Sequence, residues 1–211
     1  EALITHGVTG SNIAGVFKGS EVLALSTVAS DLPGDKAITE ETIFPIWSMS
    51  KPVTIVAMMV LLDQGKYSVD EPVATYLPEF GNLMCRPADD DADLYPCEKE
   101  LLIDHLLTHR SGYSYYGNGG GEGPDFRFPF ADLEDYMRHV ASWPLEFEPG
   151  TSYLYGINQA ILGRLVEVLS GKTFYEFLYE AIFAPLGMKD TKFELTETDR
   201  LRLQPLYRKP Q

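Results

Sequence analysis

The sequence contains no apolar run of the roughly 18 residues that a membrane-crossing helix requires, and its start has no basic segment leading into an apolar core and a small-residue cleavage site. No membrane span is expected in these 211 residues, although a removed leader would leave no trace. Positive charge is also scarce. Seventeen Lys and Arg stand against 31 Asp and Glu, and a net charge of -14 repels a phosphate backbone and an anionic bilayer alike. Nucleic-acid binding is not expected. Gly-x-Ser-x-Gly is missing too, which leaves an α/β-hydrolase nucleophile elbow without support.

Cysteine occurs only twice, and two Cys without a neighbouring Cys/His pair make no zinc site. Cys85 and Cys97 bracket the acidic, Pro-containing stretch 86–96, which reads as a surface insertion. A disulfide closing that loop would stabilise by roughly 3 kcal/mol in an oxidising, extracytoplasmic compartment; two free thiols in a reducing one fit the spacing as well. His105 and His109 have the spacing of two metal ligands on a helix, but Leu106 stands where a zincin needs Glu and no third ligand is apparent. Both read as structural. Neither a metal nor a cofactor is called for.

What the chain does have is a hydroxyl and an amine one turn apart at the mouth of an apolar helix, in Trp47-Ser48-Met49-Ser50-Lys51-Pro52. Residues 53–62 are apolar except Thr54, and Asp63-Gln64-Gly65-Lys66 supplies a glycine stop. Positions i and i+3 share a helix face, so Ser48 Oγ and Lys51 Nζ can meet where the helix N-terminus offers free N–H groups. The spacing alone also fits a helix-capping Ser followed by a solvated Lys. The apolar run after Lys51 argues for a buried helix instead.

Residues 12–17 and 22–28 are rich in Val, Ile, Leu and Ala and flank Lys18-Gly19-Ser20-Glu21, which predicts a β-hairpin. Helical periodicity recurs at 103–108, 131–141, 159–169 and 174–183. The stretch 113–125 carries Tyr113, Tyr115 and Tyr116 followed by five Gly, and is expected to be a mobile aromatic loop, either lining a pocket or merely linking elements. A single hairpin cannot cover this many helices, so a wider sheet is expected from chain beyond these residues.

Three further stretches accompany Ser48-x-x-Lys51: Val73-Ala74-Thr75-Tyr76-Leu77-Pro78-Glu79-Phe80, His105-Leu106-Leu107-Thr108-His109-Arg110-Ser111-Gly112, and Pro149-Gly150-Thr151-Ser152-Tyr153-Leu154-Tyr155-Gly156-Ile157-Asn158. In order and spacing the sequence resembles the serine β-lactamase and penicillin-binding-protein superfamily, in its class C-like branch with esterases and D-alanyl-D-alanine peptidases, from about residue 15 to 191. The resemblance implies an α+β fold, an antiparallel sheet flanked by helices plus an all-helical region, of which residues 1–211 form the N-terminal part. Residues 1–50 would hold the hairpin and the approach to the nucleophile, and 51–211 the mainly helical region.

Carried over position by position, the resemblance implies that Ser48 is the acylated nucleophile, Lys51 its proton partner and Tyr155 the tyrosine of the second motif. A phenol beside an ammonium makes chemical sense, because the positive charge favours the phenolate that takes the Ser48 proton. Two departures matter. Ile157 occupies the position where relatives carry the Asn of Tyr-x-Asn, and Asn158 follows one residue later, about 100° further round a helix. The Lys-Thr-Gly or His-x-Gly motif is absent; Gly171-Lys172-Thr173 has the wrong order and sits in an inter-helix turn, and Val166 excludes a P-loop there. The expected activity is that of a carboxylesterase on small esters. A β-lactamase, a D-alanyl-D-alanine carboxypeptidase and a non-catalytic penicillin-binding-like protein are the alternatives. The expected partners are a small ester or amide substrate and the C-terminal remainder of the same hydrolase fold.

Overall fold

The computed structural model of the chain describes residues 4, 6, 9–87, 89, 93–115 and 130–207. The chain divides into two compact units, Glu1–Trp47 with Asp190–Gln211, and Ser48–Lys189.

In the first unit, β1 (Asn12–Lys18) and β2 (Glu21–Val28) pair antiparallel through the two-residue turn Gly19-Ser20, with Gly19 at φ +58°. Val16 faces Ala24 and Phe17 faces Val22, which leaves Leu23 as the extra residue of a bulge. Phe17, Val22, Leu23 and Leu25 are all more than half exposed, so both faces of this ribbon carry bare apolar side chains. A two-stranded ribbon cannot bury them itself.

The same unit is fastened by carboxylates. Asp35 accepts hydrogen bonds from Ser11 N (2.7 Å), Ser11 Oγ (2.8 Å), Ser30 Oγ, Lys36 N (2.8 Å) and Gln204 Nε2 (2.8 Å). Burial pushes its carboxyl up, but the donors of Ser30, Ser11 and Lys36 outweigh that and hold it at about 2. Residues 43 and 202–204 pair main chain to main chain, Ile43 N to Arg202 O and Gln204 N to Ile43 O. The helix Glu197–Arg202 leads into this pairing and is capped by Thr196, whose hydroxyl accepts from Asp199 N while the Asp199 carboxylate accepts from Thr196 N at 3.0 Å.

The second unit is built on two helices, α1 (Ser50–Asp63) and α4 (Asn158–Ser170), which lie against each other. Thr54, Ala57, Met58 and Leu61, spaced i, i+3, i+4, i+7, form the buried stripe of α1, and Ile161, Leu162, Leu165 and Val166 form that of α4. The larger of these side chains, Met58, Leu61, Ile161, Leu162, Leu165 and Val166, each contribute about 1.5–3 kcal/mol on burial. Val56 on the opposite face is 46% exposed, so the all-round apolarity of residues 53–62 reflects one buried face and one partly open. α1 ends as the glycine predicts, with Gly65 at φ +68° and its N–H on Leu62 O.

α2 (Ile103–Leu107) and α3 (Leu133–Val140) pack on α4 through Ile103, Leu106, Met137 and Val140. Gly171 ends α4 at φ +70°, and Thr173 opens α5 (Phe174–Leu178) with a capping box to Glu176. Gly171-Lys172-Thr173 is thus a helix stop followed by a helix start. The helical pattern expected over 174–183 holds, but its second half, Tyr179–Phe183, is wound as a π-turn. Two-residue strands β3 (Met84–Cys85) and β4 (Tyr95–Pro96) pair at the base of the acidic stretch, and Cys85 and Cys97 are joined by a disulfide with Cα atoms 5.1 Å apart. No helix among the described residues is long and apolar enough to cross a membrane.

Candidate active site

The site is assembled by the N-terminus of α1 and by the segment that leads into α4. Trp47 adopts φ +43°, a conformation few non-glycine residues take, and turns the chain into the 3-10 turn Trp47–Met49 that carries Ser48. Lys51 follows in the first turn of α1 and donates from Nζ to Ser48 Oγ at 3.1 Å. The i, i+3 relation expected of them is thereby realised.

Tyr155 arrives on a stretch zipped to residues 109–112 by main-chain hydrogen bonds: Glu146 N to Gly112 O (2.9 Å), Gly150 N to Arg110 O (2.8 Å) and Leu154 N to His109 O (2.9 Å). At Gly156 a Cβ would stand 2.0 Å from Tyr113 O, so only glycine lets the chain pass there. Lys51 Nζ lies 4.8 Å from the centre of the Tyr155 ring and 5.8 Å from that of Tyr115, and the two phenol rings are 5.6 Å apart. Ser48, Lys51 and Tyr155 therefore stand together.

The electrostatics separate the lysine from the tyrosine. Burial works against the Lys51 charge, but hydrogen bonds to the Tyr155 and Tyr115 phenols outweigh it, and its pKa lies above the ordinary lysine value. The Tyr155 phenol moves the other way, pulled down first by the Lys51 hydrogen bond and then by that of Ser48. An ammonium that donates to Ser48 Oγ leaves the serine's own hydrogen free for a different acceptor. The Tyr155 phenol, whose pKa Ser48 also lowers, lies on that side of the site.

Asn158 is fully buried, and its amide is committed to Ser111 Oγ and, at 2.8 Å, to His109 Nδ1. The one-residue shift thus turns it into the interior, and Ile157 at the motif position is also buried. His105 is held locally, its Nδ1 accepting from Leu102 N at 3.2 Å. Two neighbours of the site escape a reading by motif alone. His109 places its ring 4.9 Å from that of Tyr155, and Tyr115 touches both Lys51 and Tyr155. The run of tyrosines was the available signal for Tyr115, whereas Tyr113 is a core residue and the rest of the aromatic, glycine-rich stretch, 116–125, lies outside the described residues.

Cys85, Cys97 and Glu148 bring three potential metal-ligand atoms together, but both sulfurs are bonded to each other and the Glu148 carboxylate accepts from Glu98 N and Lys99 N. That set does not fit a metal ion.

Comparison with known proteins places the chain in a family: the model described as Beta-lactamase matches residues 1–211. The chain belongs to the Beta-lactamase family. Among Beta-lactamase family relatives, esterase EstB of Burkholderia gladioli is 33% identical over 181 residues, covering 81% of this chain and 43% of EstB. The solved structure of EstCE1, described as a hydrolase with promiscuous acyltransferase activity, superposes with a TM-score of 0.74 at 25% identity over 96% of this chain and 54% of that one. An octameric penicillin-binding protein homologue from Pyrococcus abyssi gives a TM-score of 0.69 at 25% identity, covering 96% of this chain and 44% of its own. The fold is that of the β-lactamases and penicillin-binding proteins, and the chain spans about half the length of the curated relatives it matches.

Proposed function

We propose that this chain supplies the nucleophile, its lysine and its tyrosine to a serine hydrolase that works through an acyl-enzyme on Ser48, with small carboxylic esters as substrates. The observation that carries the reading is the Lys51 ammonium donating to Ser48 Oγ at 3.1 Å beside a phenol of lowered pKa. Tyr155, as phenolate, takes the Ser48 proton while Oγ attacks the ester carbonyl. The tetrahedral intermediate collapses, the C–O bond to the alcohol breaks, and Tyr155 returns the proton to the departing alkoxide. Water then enters and loses a proton to Tyr155 as its oxygen bonds the acyl carbon; the bond to Ser48 Oγ breaks, the acid leaves, and Tyr155 returns the proton to Ser48 Oγ. Lys51 stays charged throughout and stabilises the phenolate.

The Ser48 N–H at the head of α1 is one donor for the oxyanion. The second, together with strands that would cover the hairpin's apolar faces, is assigned to further chain of the full-length hydrolase. Esters are favoured over lactams and peptides because Ile157 has no amide to hold an acylamide side chain and Asn158 is turned inward. The Cys85–Cys97 disulfide favours an oxidising compartment.

The test is labelling of the full-length protein with a fluorophosphonate, followed by mass spectrometry of the tryptic peptide. Modification of Ser48 and loss of ester turnover in Ser48→Ala are expected. Labelling at another residue, or full turnover in that variant, would remove the reading. An intact Ser48 that binds but never turns over acyl ligands would favour the non-catalytic alternative.

A further inference from the structure

A directed chain of hydrogen bonds ends on the imidazole that faces Tyr155. Ser111 and Asn158 are both fully buried. Tyr113 N donates to Ser111 Oγ at 3.1 Å, and the Ser111 hydroxyl donates its single hydrogen to Asn158 Oδ1. That orients the amide, because the reverse orientation would turn the NH2 group toward the Ser111 hydroxyl and take away the acceptor of its single hydrogen. Asn158 Nδ2 therefore points at His109 Nδ1, 2.8 Å away, and an NH2 group can only donate. Nδ1 must hold a lone pair, and the ring proton belongs on Nε2.

The backbone supports the same arrangement. His109 sits at φ +57°, a left-handed conformation that costs a non-glycine residue energy, and its carbonyl accepts from Leu154 N. The imidazole plane lies 34° from the Tyr155 ring at 4.9 Å and 6.1 Å from Tyr153. The charged and titratable groups facing it are Lys51, Tyr153 and Tyr155. Burial and the Lys51 charge both push its pKa below the ordinary value.

We infer that His109 is a positioning residue for Tyr155, locked by Asn158 and Ser111 as the neutral Nε2-protonated tautomer. The locked ring braces one face of the phenol and keeps Lys51 the single cation beside it. A charged imidazole would add a second cation, making the phenolate a weaker base, and would turn Nδ1–H against the Asn158 amide.

The inference rests on Tyr155 being the proton carrier, and the experiment separates the two. In the full-length hydrolase labelled with 15N-histidine, long-range 1H–15N spectra, assigned through His109→Gln, are expected to show His109 still neutral, with hydrogen on Nε2, below the ordinary histidine midpoint of about 6.5. Asn158→Asp replaces the donor by an acceptor. It is expected to charge His109 at neutral pH and to lower kcat about ten- to a hundredfold with KM little changed. An Nδ1-protonated or charged His109 in the wild type, which is read without any substitution, would overturn the inference. So would undiminished kcat in Asn158→Asp alongside a crippled Tyr155→Phe. Full turnover in Tyr155→Phe would instead overturn the reading of Tyr155 itself.

Discussion

Lys51 Nζ donates to Ser48 Oγ across 3.1 Å, one turn apart at the head of α1. The lysine pKa is raised and the tyrosine pKa lowered, so the same nitrogen is a donor to Ser48 and the group that most favours ionisation of the Tyr155 phenol. In the proposed mechanism the lysine accordingly keeps the charge and the tyrosine moves the proton.

This division sets a pH profile. A base must be deprotonated, so kcat/KM for a short ester rises as pH climbs through the Tyr155 pKa, which lies below the ordinary tyrosine value of about 10. Lys51→Met removes the hydrogen bond that lowers it, and the acid limb should move upward, towards that ordinary value. Tyr155→Phe should lose on the order of 10²- to 10⁴-fold in kcat. Its thermal midpoint should barely change, because the side chain is 42% exposed. An acid limb unmoved by Lys51→Met would contradict the coupling.

Substrate choice follows from the inward turn of Asn158. A short-chain p-nitrophenyl ester is expected to give a far higher kcat/KM than nitrocefin in the full-length protein. Equal efficiency would mean that an amide from outside these residues holds the lactam side chain.

Gly156→Ala places a methyl group 2.0 Å from a main-chain oxygen that is not free to swing aside. A loss of about 1–3 kcal/mol in unfolding free energy is expected. Because the next residue back is Tyr155, kcat should fall as well. Unchanged denaturant midpoints would show that Tyr113 and Gly156 are not in contact.

Acid should loosen the first unit through Asp35 and Asp199. Burial raises the Asp35 carboxyl and its Ser30, Ser11 and Lys36 donors lower it further than that, while Asp199 is lowered first by Thr196 N and then by Lys192; both lie at about 2 instead of 3.8. A depressed folded-state pKa contributes stability above pH 3.8 that is lost as pH falls to about 2. Unfolding midpoints measured across that window should fall less steeply in Asp35→Asn than in the wild type.

The candidate site was legible in the sequence wherever a residue's placement depends on local spacing. Ser48 and Lys51 are one turn apart, and the periodicity of α1, α2, α3 and α4 is local information, so each appears within a residue or two of its expected bounds. The helix Glu197–Arg202 was not read, although Thr196 and Asp199 carry a capping-box signal at the right spacing. His109 was harder. Its contact with Tyr155 depends on residues 109–112 pairing with 146–154, a non-local register set by main-chain hydrogen bonds that no side-chain pattern announces. The Cys85–Cys97 bridge likewise depended on β3 and β4 bringing two chain ends together.

That main-chain register has an evolutionary consequence. Hydrogen bonds between peptide groups do not depend on which side chains are attached to them, so the stretch leading to Tyr155 keeps its course under substitution. Thr151, Ser152 and Tyr153, the last 65% exposed, are side chains that mutation can change while the main chain leading to Tyr155 stays paired. In the proposed hydrolase the acyl group accepted can therefore drift through these exposed residues, without first risking the proton transfer assigned to Tyr155.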